Sequence, residues 1–463
     1  MKSPNKKAYC FLVSSEGRDF HILIGFIYYL ERFLNYDVEF QFVWDAHKIK
    51  TSPPDLVILP NARGNDLYFE IAQYCKENDI LVYANESEGN FNPDTDYNYW
   101  GYNTTKTPIC PVLYCWNYRI RNYLIESVGI DESLIKVAGA PGIDKYHYTS
   151  KLDRGLFLKK HHKSKYKKVV GYAGWAFGKL ENKEIDHVLT YLEMEETSGK
   201  KWIAEKRDWA EEALRSCIEK FPDVLFILKK HPRENFESDY RDSRNEMNRL
   251  THYDNVLYLC NEESIESLIQ VSDIWMAFES TSIMEAWLMR TPTVIINPIP
   301  NFSKVKLYEG SLQVHDIPHL LTVMTDALEK NVFDQMNQPE ILVQRQKTLE
   351  NAFGFTDGYN HLRCIYYFLP YLEKNKRTTK KIPLNKRFFR QYLLMHMGKF
   401  FYNKSIFARL PKFKKTIWIF ENRCLDGVKA QKLTTFKDLD EFYKKNGLNE
   451  KLPDVEFLKS ISR

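Results

Sequence analysis

The feature that most restricts this fold is an apolar run of strand length that passes straight into a hydroxyl turn, a helix and a second β-branched run. It spans Ser272 to Pro298. Ile274 to Phe278 has the length and apolarity of a buried strand. Glu279 to Ser282 is a turn rich in helix N-cap residues, and Ile283 to Met289 is helix-forming. Thr291-Pro292 ends that helix, and Thr293 to Ile296 reads as the next strand. A helix opening at Ser280-Thr281-Ser282 directs backbone N–H groups and hydroxyls above the sheet, a place suited to phosphate.

The same strand–helix alternation recurs along the chain. Expected strands are Tyr9–Ser14, Val38–Val43, Asp55–Pro60, Ile80–Ala84, Pro111–Trp116 and Leu134–Gly139. Helices are expected at Phe20–Leu34, Asp66–Lys76 and Tyr118–Ser127. A second series starts at Val169–Ala173 and continues through Val224–Lys229 and Val256–Cys260, with helices Trp202–Phe221 and Glu263–Val271. Repeated βα units predict parallel sheets covered by helices on both faces. The class is α/β: two Rossmann-like doubly wound domains facing across a cleft, a GT-B-like architecture. The expected boundaries are an acceptor domain at 1–150, a basic linker at 151–168, a nucleotide-sugar domain at 169–372 and a basic, aromatic extension at 373–463.

A length of 463 residues suits two cores. The longest apolar run near the start, Ile22 to Leu30, is too short to span a bilayer. The basic Met1–Lys7 is followed only by Ala8–Val13, so no signal peptide is expected. Eight cysteines without a Cys-x-x-Cys pair read as reduced thiols, which places the protein in the cytoplasm. Between Lys374 and Phe420 lie 14 of the 66 Lys and Arg residues and no carboxylate, so the rest of the chain is net acidic. Interleaved with Phe388-Phe389, Tyr392-Leu393-Leu394 and Phe400-Phe401-Tyr402, this charge fits an anionic membrane surface, with the protein peripheral at the inner face of the plasma membrane. The run Lys159 to Lys168 reads as a solvated linker, and nucleic acid is not an expected partner.

Candidate site residues stand where strands end. Lys229-Lys230-His231-Pro232-Arg233 follows one strand and is expected beside the Ser280–Ser282 turn. There His231 can donate to a departing phosphate, with Lys230 adding charge. Glu285, one turn further, either meets a ribose, pairs with Arg290 or faces solvent. Gly171-Tyr-Ala-Gly174-Trp175 ends the first strand of the second series. Its glycines let backbone approach a ligand, and Trp175 offers a stacking face. In the first domain Asn85-Glu86-Ser87-Glu88-Gly89 follows a strand, and Glu86 or Glu88 can serve as the base for an acceptor hydroxyl. Arg18 and Asp19, after Gly17, are candidates to hold an acceptor. Asp94-Thr-Asp96 has a metal-binding spacing but sits in an Asn- and Pro-rich loop, and no metal site is expected.

On four of these pieces the chain resembles the bacterial surface-carbohydrate biosynthesis proteins, a GT-B glycosyltransferase group, and in general pattern the bacterial sialyltransferases and Kdo transferases. The pieces are Glu86-Ser87-Glu88-Gly89, Gly139-Ala-Pro-Gly-Ile-Asp144, His231-Pro232 and Ser280-Thr281-Ser282, within residues 8–370. The resemblance implies transfer of a 2-keto acid sugar from a CMP-sugar donor to a glycan or lipid-linked acceptor in surface-polysaccharide synthesis, with no cofactor. His231 and the serine turn would hold the phosphate, and an acidic residue before Gly89 would be the base. The acidic pair is adjacent in sialyltransferases, whereas Ser87 divides it here. A CDP- or UDP-linked donor, a UDP-sugar 2-epimerase and a degenerate GT-B module binding glycan or membrane are the alternatives.

Overall fold

The computed structural model describes residues 6–13, 17–87, 105–174, 196–231, 245–260, 262–278, 280–297, 308–376, 378, 380–402, 425, 427–448 and 455–461. It divides into two units. The first joins Met1–Thr149 to Leu349–Arg463, and the second is Ser150–Thr348.

In the first unit β1 (Lys6–Leu12), β2 (Tyr36–Phe42), β3 (Leu56–Leu59) and β4 (Leu81–Ala84) form a parallel sheet of order β2-β1-β3-β4. A separate parallel pair joins β5 (Leu113–Cys115) to β6 (Ile135–Val137). All four residues of β3 are buried, the continuous apolar run that a strand covered on both faces requires. The helix Arg18–Phe33 packs its apolar stripe inward, with Phe26 stacked on Tyr83 at 3.7 Å between ring centroids.

In the second unit six strands run parallel in the order β12-β11-β10-β7-β8-β9. They are β7 (Lys168–Ala173), β8 (Val224–Lys229), β9 (Val256–Leu259), β10 (Ile274–Ala277), β11 (Thr293–Ile296) and β12 (Leu312–Val314). Helix Glu196–Lys220 contributes Ala213, Leu214 and Cys217 to the core beneath Phe226 and Leu228. The described cysteines are all free thiols, and five of the seven are buried.

Two boundaries differ from the sequence expectation. Residues 151–168 are not a solvated linker. They hold the helix Arg154–Lys160, which buries Phe157 and Leu158, and Arg154 forks onto Asp273 at 2.8 and 3.0 Å. Residues from Leu349 onward, expected in part with the second domain and in part as a separate extension, belong to the first unit. Ile382 and Phe388 enter its core. The helix Asn360–Lys374 is seated by a buried network in which Asp144 accepts from Asn360 Nδ2 at 2.9 Å, from the His361 backbone at 2.8 Å and from His361 Nδ1 at 2.8 Å. The other imidazole nitrogen meets Tyr443 at 3.1 Å, on the helix Val428–Lys445. The Gly139-to-Asp144 motif therefore docks the chain's own C-terminal helices. Gly139 has φ +79°, and a Cβ on it would fall 1.9 Å from Asn360 Oδ1.

Candidate functional site

In the second unit the chain leaves β7 for β8 and β9 on one side, then resumes on the other side as β10, β11 and β12. The order reverses between β7 and β10. In an open parallel sheet the carboxyl ends at such a reversal frame the crevice where ligands bind. The residues there are Gly174, after β7, and Ser280 to Ser282, after β10; the Phe278 N–H bonds Ala173 O at 3.2 Å and ties the two strand ends together.

The serine turn is held from below. Trp275 Nε1 donates to Ser282 Oγ at 3.0 Å, and Ser280 Oγ donates to the same oxygen at 3.0 Å. With both lone pairs occupied, the Ser282 hydroxyl has its proton left to donate. Ser280 Oγ also accepts from the Ser282 N–H at 3.3 Å. This corrects the expectation of open donors: the first N–H of the helix Ser282–Leu288 is capped from within the turn, and that helix is only seven residues long. Thr281 is half-buried, as is Glu285, whose carbonyl accepts from the Met289 N–H.

The glycines of β7 serve a different purpose from the expected one. A Cβ at Gly171 would lie 2.3 Å from the Trp275 ring, and one at Gly174 would lie 1.7 Å from Glu246 Oε1. Space is therefore taken by the protein's own indole and by Glu246, a fully buried carboxylate that accepts from Tyr172 at 3.0 Å.

His231 follows β8, but β7 lies between β8 and β10. The imidazole and the serine turn are thus two strand spacings apart at the backbone, about 10 Å, instead of on adjacent strands. His231 is half-buried. Lys229 and Lys230 are buried, and desolvation lowers the Lys229 ammonium from its ordinary range. Sequence reasoning missed a further cation at this edge: Lys206 is buried, reaches Asn297 Oδ1 at 3.2 Å at the end of β11 and lies over the Trp202 ring. The Asn297 carbonyl meets His315 Nδ1 at 2.5 Å, after β12. Asn297-Pro298 at a strand end is the one sequence signal that could have pointed there; nothing in the sequence singles out Lys206 within its long polar helix.

In the first unit the order reverses between β1 and β3. Gly17, with φ +96°, turns the chain into the helix that Arg18 and Asp19 open; Arg18 is exposed and Asp19 half-buried near the buried Tyr68 phenol. Glu86 lies two residues past the last β3–β4 register pair, Leu59 with Ala84, and so does Asn61. Asn61 Nδ2 donates to Glu86 Oε2 at 2.6 Å, while its Oδ1 accepts from the N–H groups of Arg63 and Gly64. Trp116 Nε1 donates to the Glu86 carbonyl at 2.9 Å. Glu86 is buried, and desolvation raises its carboxyl well above the ordinary range, against the opposing pull of Arg63 and Asn61. Burial thus favours the neutral form of the group that the sequence nominated as base. Glu88, Trp175, Pro232, Asp94 and Asp96 lie outside the described residues. Among the described residues no cluster of three or more His, Cys, Asp or Glu is spaced for a metal ion.

No protein-family model matches the sequence, and no curated protein does. Among solved structures, a Listeria monocytogenes protein assigned as a UDP-N-acetylglucosamine 2-epimerase superposes with a TM-score of 0.51. Its identity is 12%, over 81% of this chain and 98% of that one. A second structure, of a UDP-N-acetylglucosamine 2-epimerase, gives a TM-score of 0.50 at 13% identity, over 82% of this chain and 99% of the other. The doubly wound units and these superpositions together give the chain the GT-B fold.

Proposed function

We propose that this protein is an enzyme acting on a UDP-linked sugar, with an epimerase-type proton exchange as its chemistry. The observation that carries the reading is the reversal of strand order between β7 and β10, with Gly174 on one side and the Trp275-braced serine hydroxyls on the other. The phosphates would sit there, with His231 and Lys230 reached across β7. Both solved neighbours reported above carry the name UDP-N-acetylglucosamine 2-epimerase, which favours uridine and an internal rearrangement over transfer.

A second reading, transfer of a sugar from a CMP-linked donor to a glycan acceptor, draws on the Ser280-Thr281-Ser282 turn, which matches the serine motif of those transferases. The test is incubation with UDP-N-acetylglucosamine alone, beside a thermal-shift series of UDP, CDP and CMP. The proposal expects a 2-epimeric product and stabilisation by UDP, which at a hundredfold excess over Kd amounts to about 2.7 kcal/mol. Stabilisation by CMP alone, with no epimer formed, would transfer the case to the second reading.

A further inference from the structure

The helix Lys386–Tyr402 has two apolar faces, and the fold uses one of them. Phe388, fully buried, and Met395, 7% exposed, turn into the first unit, Phe388 packing edge-on against Tyr74 at 5.4 Å. On the other arc Phe389, Leu393 and Met397 recur at four-residue intervals with Leu394 beside them, exposed by 37, 43, 53 and 54% respectively; Phe389, at the edge of the arc, also packs on the His47 ring at 5.0 Å between centroids. Side chains four apart on a helix lie on one face. Lys386 and Arg390 stand within the same arc, and Arg387 at its border pairs with Glu70. No carboxylate occurs in the chain between Lys374 and Phe420.

We propose that this outer arc docks on an anionic lipid surface. Clustered apolar side chains in water are unfavourable, and interleaved cations favour an anionic partner. The boundary between headgroups and acyl chains meets both demands at once: the apolar side chains enter the acyl edge and the cations stay at headgroup level. A nucleic acid would answer the charge alone: the one ring on the arc, Phe389, already packs on His47, and Leu393, Leu394 and Met397 offer none to stack on a base. A second copy of the same arc would set Lys386 and Arg390 against like charge. Among the described residues no helix is long and apolar enough to cross a membrane, so the contact is with the surface.

The test uses the full chain, because removing everything beyond Lys374 would strip Phe388 and Tyr443 from the first unit. Co-sedimentation is measured with phosphatidylcholine vesicles and with vesicles containing phosphatidylglycerol. The expected result is pelleting with the anionic vesicles only, weakened by salt. The quadruple variant Phe389→Ser, Leu393→Ser, Leu394→Ser, Met397→Ser should lose binding at least tenfold while melting at the wild-type temperature. The pair Lys386→Gln and Arg390→Gln should weaken it by about fivefold per charge. Should the quadruple variant melt lower, this second pair, on exposed side chains, decides the matter. Protein that stays in the supernatant with anionic vesicles overturns the proposal. So does undiminished pelleting of both variants, tighter binding to duplex DNA than to vesicles, or a dimer that the quadruple variant abolishes.

Discussion

Trp275 and Gly171 are register partners on adjacent parallel strands, and the indole occupies the volume that a side chain at 171 would need. The serine turn is thus supported by a tryptophan that itself depends on a missing Cβ. Gly171→Ala should therefore cost stability by overpacking, about 1–3 kcal/mol. It should also weaken nucleotide binding, because the ring that braces Ser282 must move. Urea unfolding and nucleotide titration of the same variant would show both losses; a stability loss without any change in affinity would separate Trp275 from the ligand site.

Trp275→Phe keeps an aromatic ring in the core and removes the one N–H that reaches Ser282 Oγ. The lost hydrogen bond should cost about 1 kcal/mol in stability, and nucleotide affinity should fall about fivefold as the hydroxyl loses its fixed orientation. Isothermal titration with UDP measures it.

Glu86→Gln should separate stability from activity. The carboxyl is raised in the folded state, so its protonated form favours folding. That stability is fully present below the ordinary carboxylate value of 4.5 and is lost as pH rises through the folded value. The loss can reach about 1.4 kcal/mol per pH unit within that window. Glutamine does not titrate, so the variant should match the wild type in acid and exceed it increasingly toward neutral pH in denaturant midpoints. If Glu86 exchanges a proton with substrate, turnover in the same variant should fall at least about a hundredfold.

Asp144→Ala should loosen the C-terminal helices without touching either strand reversal. It leaves the His361 backbone N–H and imidazole without their buried acceptor, while the Asn360 amide keeps the Ala140 and Phe355 carbonyls. The expected cost is about 3 kcal/mol or more. Hydrogen exchange should show protection falling first across Asn360–Lys374 and Val428–Lys445, while the sheet of the second unit keeps its own.

Much of the sheet architecture was legible in the sequence because strands covered on both faces carry little else than apolar residues, as in the fully buried β8 and β10. The helix expected at Phe20–Leu34 is Arg18–Phe33, and the strand expected at Tyr9–Ser14 is Lys6–Leu12. Strand order was not legible. Periodicity tells which residues face inward, not which strand lies beside which, so the insertion of β7 between His231 and the serines escaped notice. The uses of Gly171, Gly174 and Gly139 were equally hidden, since each depends on a side chain that arrives from elsewhere. Asp144 and His361 are 217 residues apart, and no local pattern marks such a pairing.

That pairing bears on how the polypeptide is made. Synthesis proceeds from the amino end, so residues 150–348, an unbroken stretch, can complete their sheet before residues 349–463 have emerged. The earlier 149 residues cannot finish, because Phe388 and His361 have not yet been translated. The segment made first is therefore completed last, and until then it has an open apolar side for chaperones to cover.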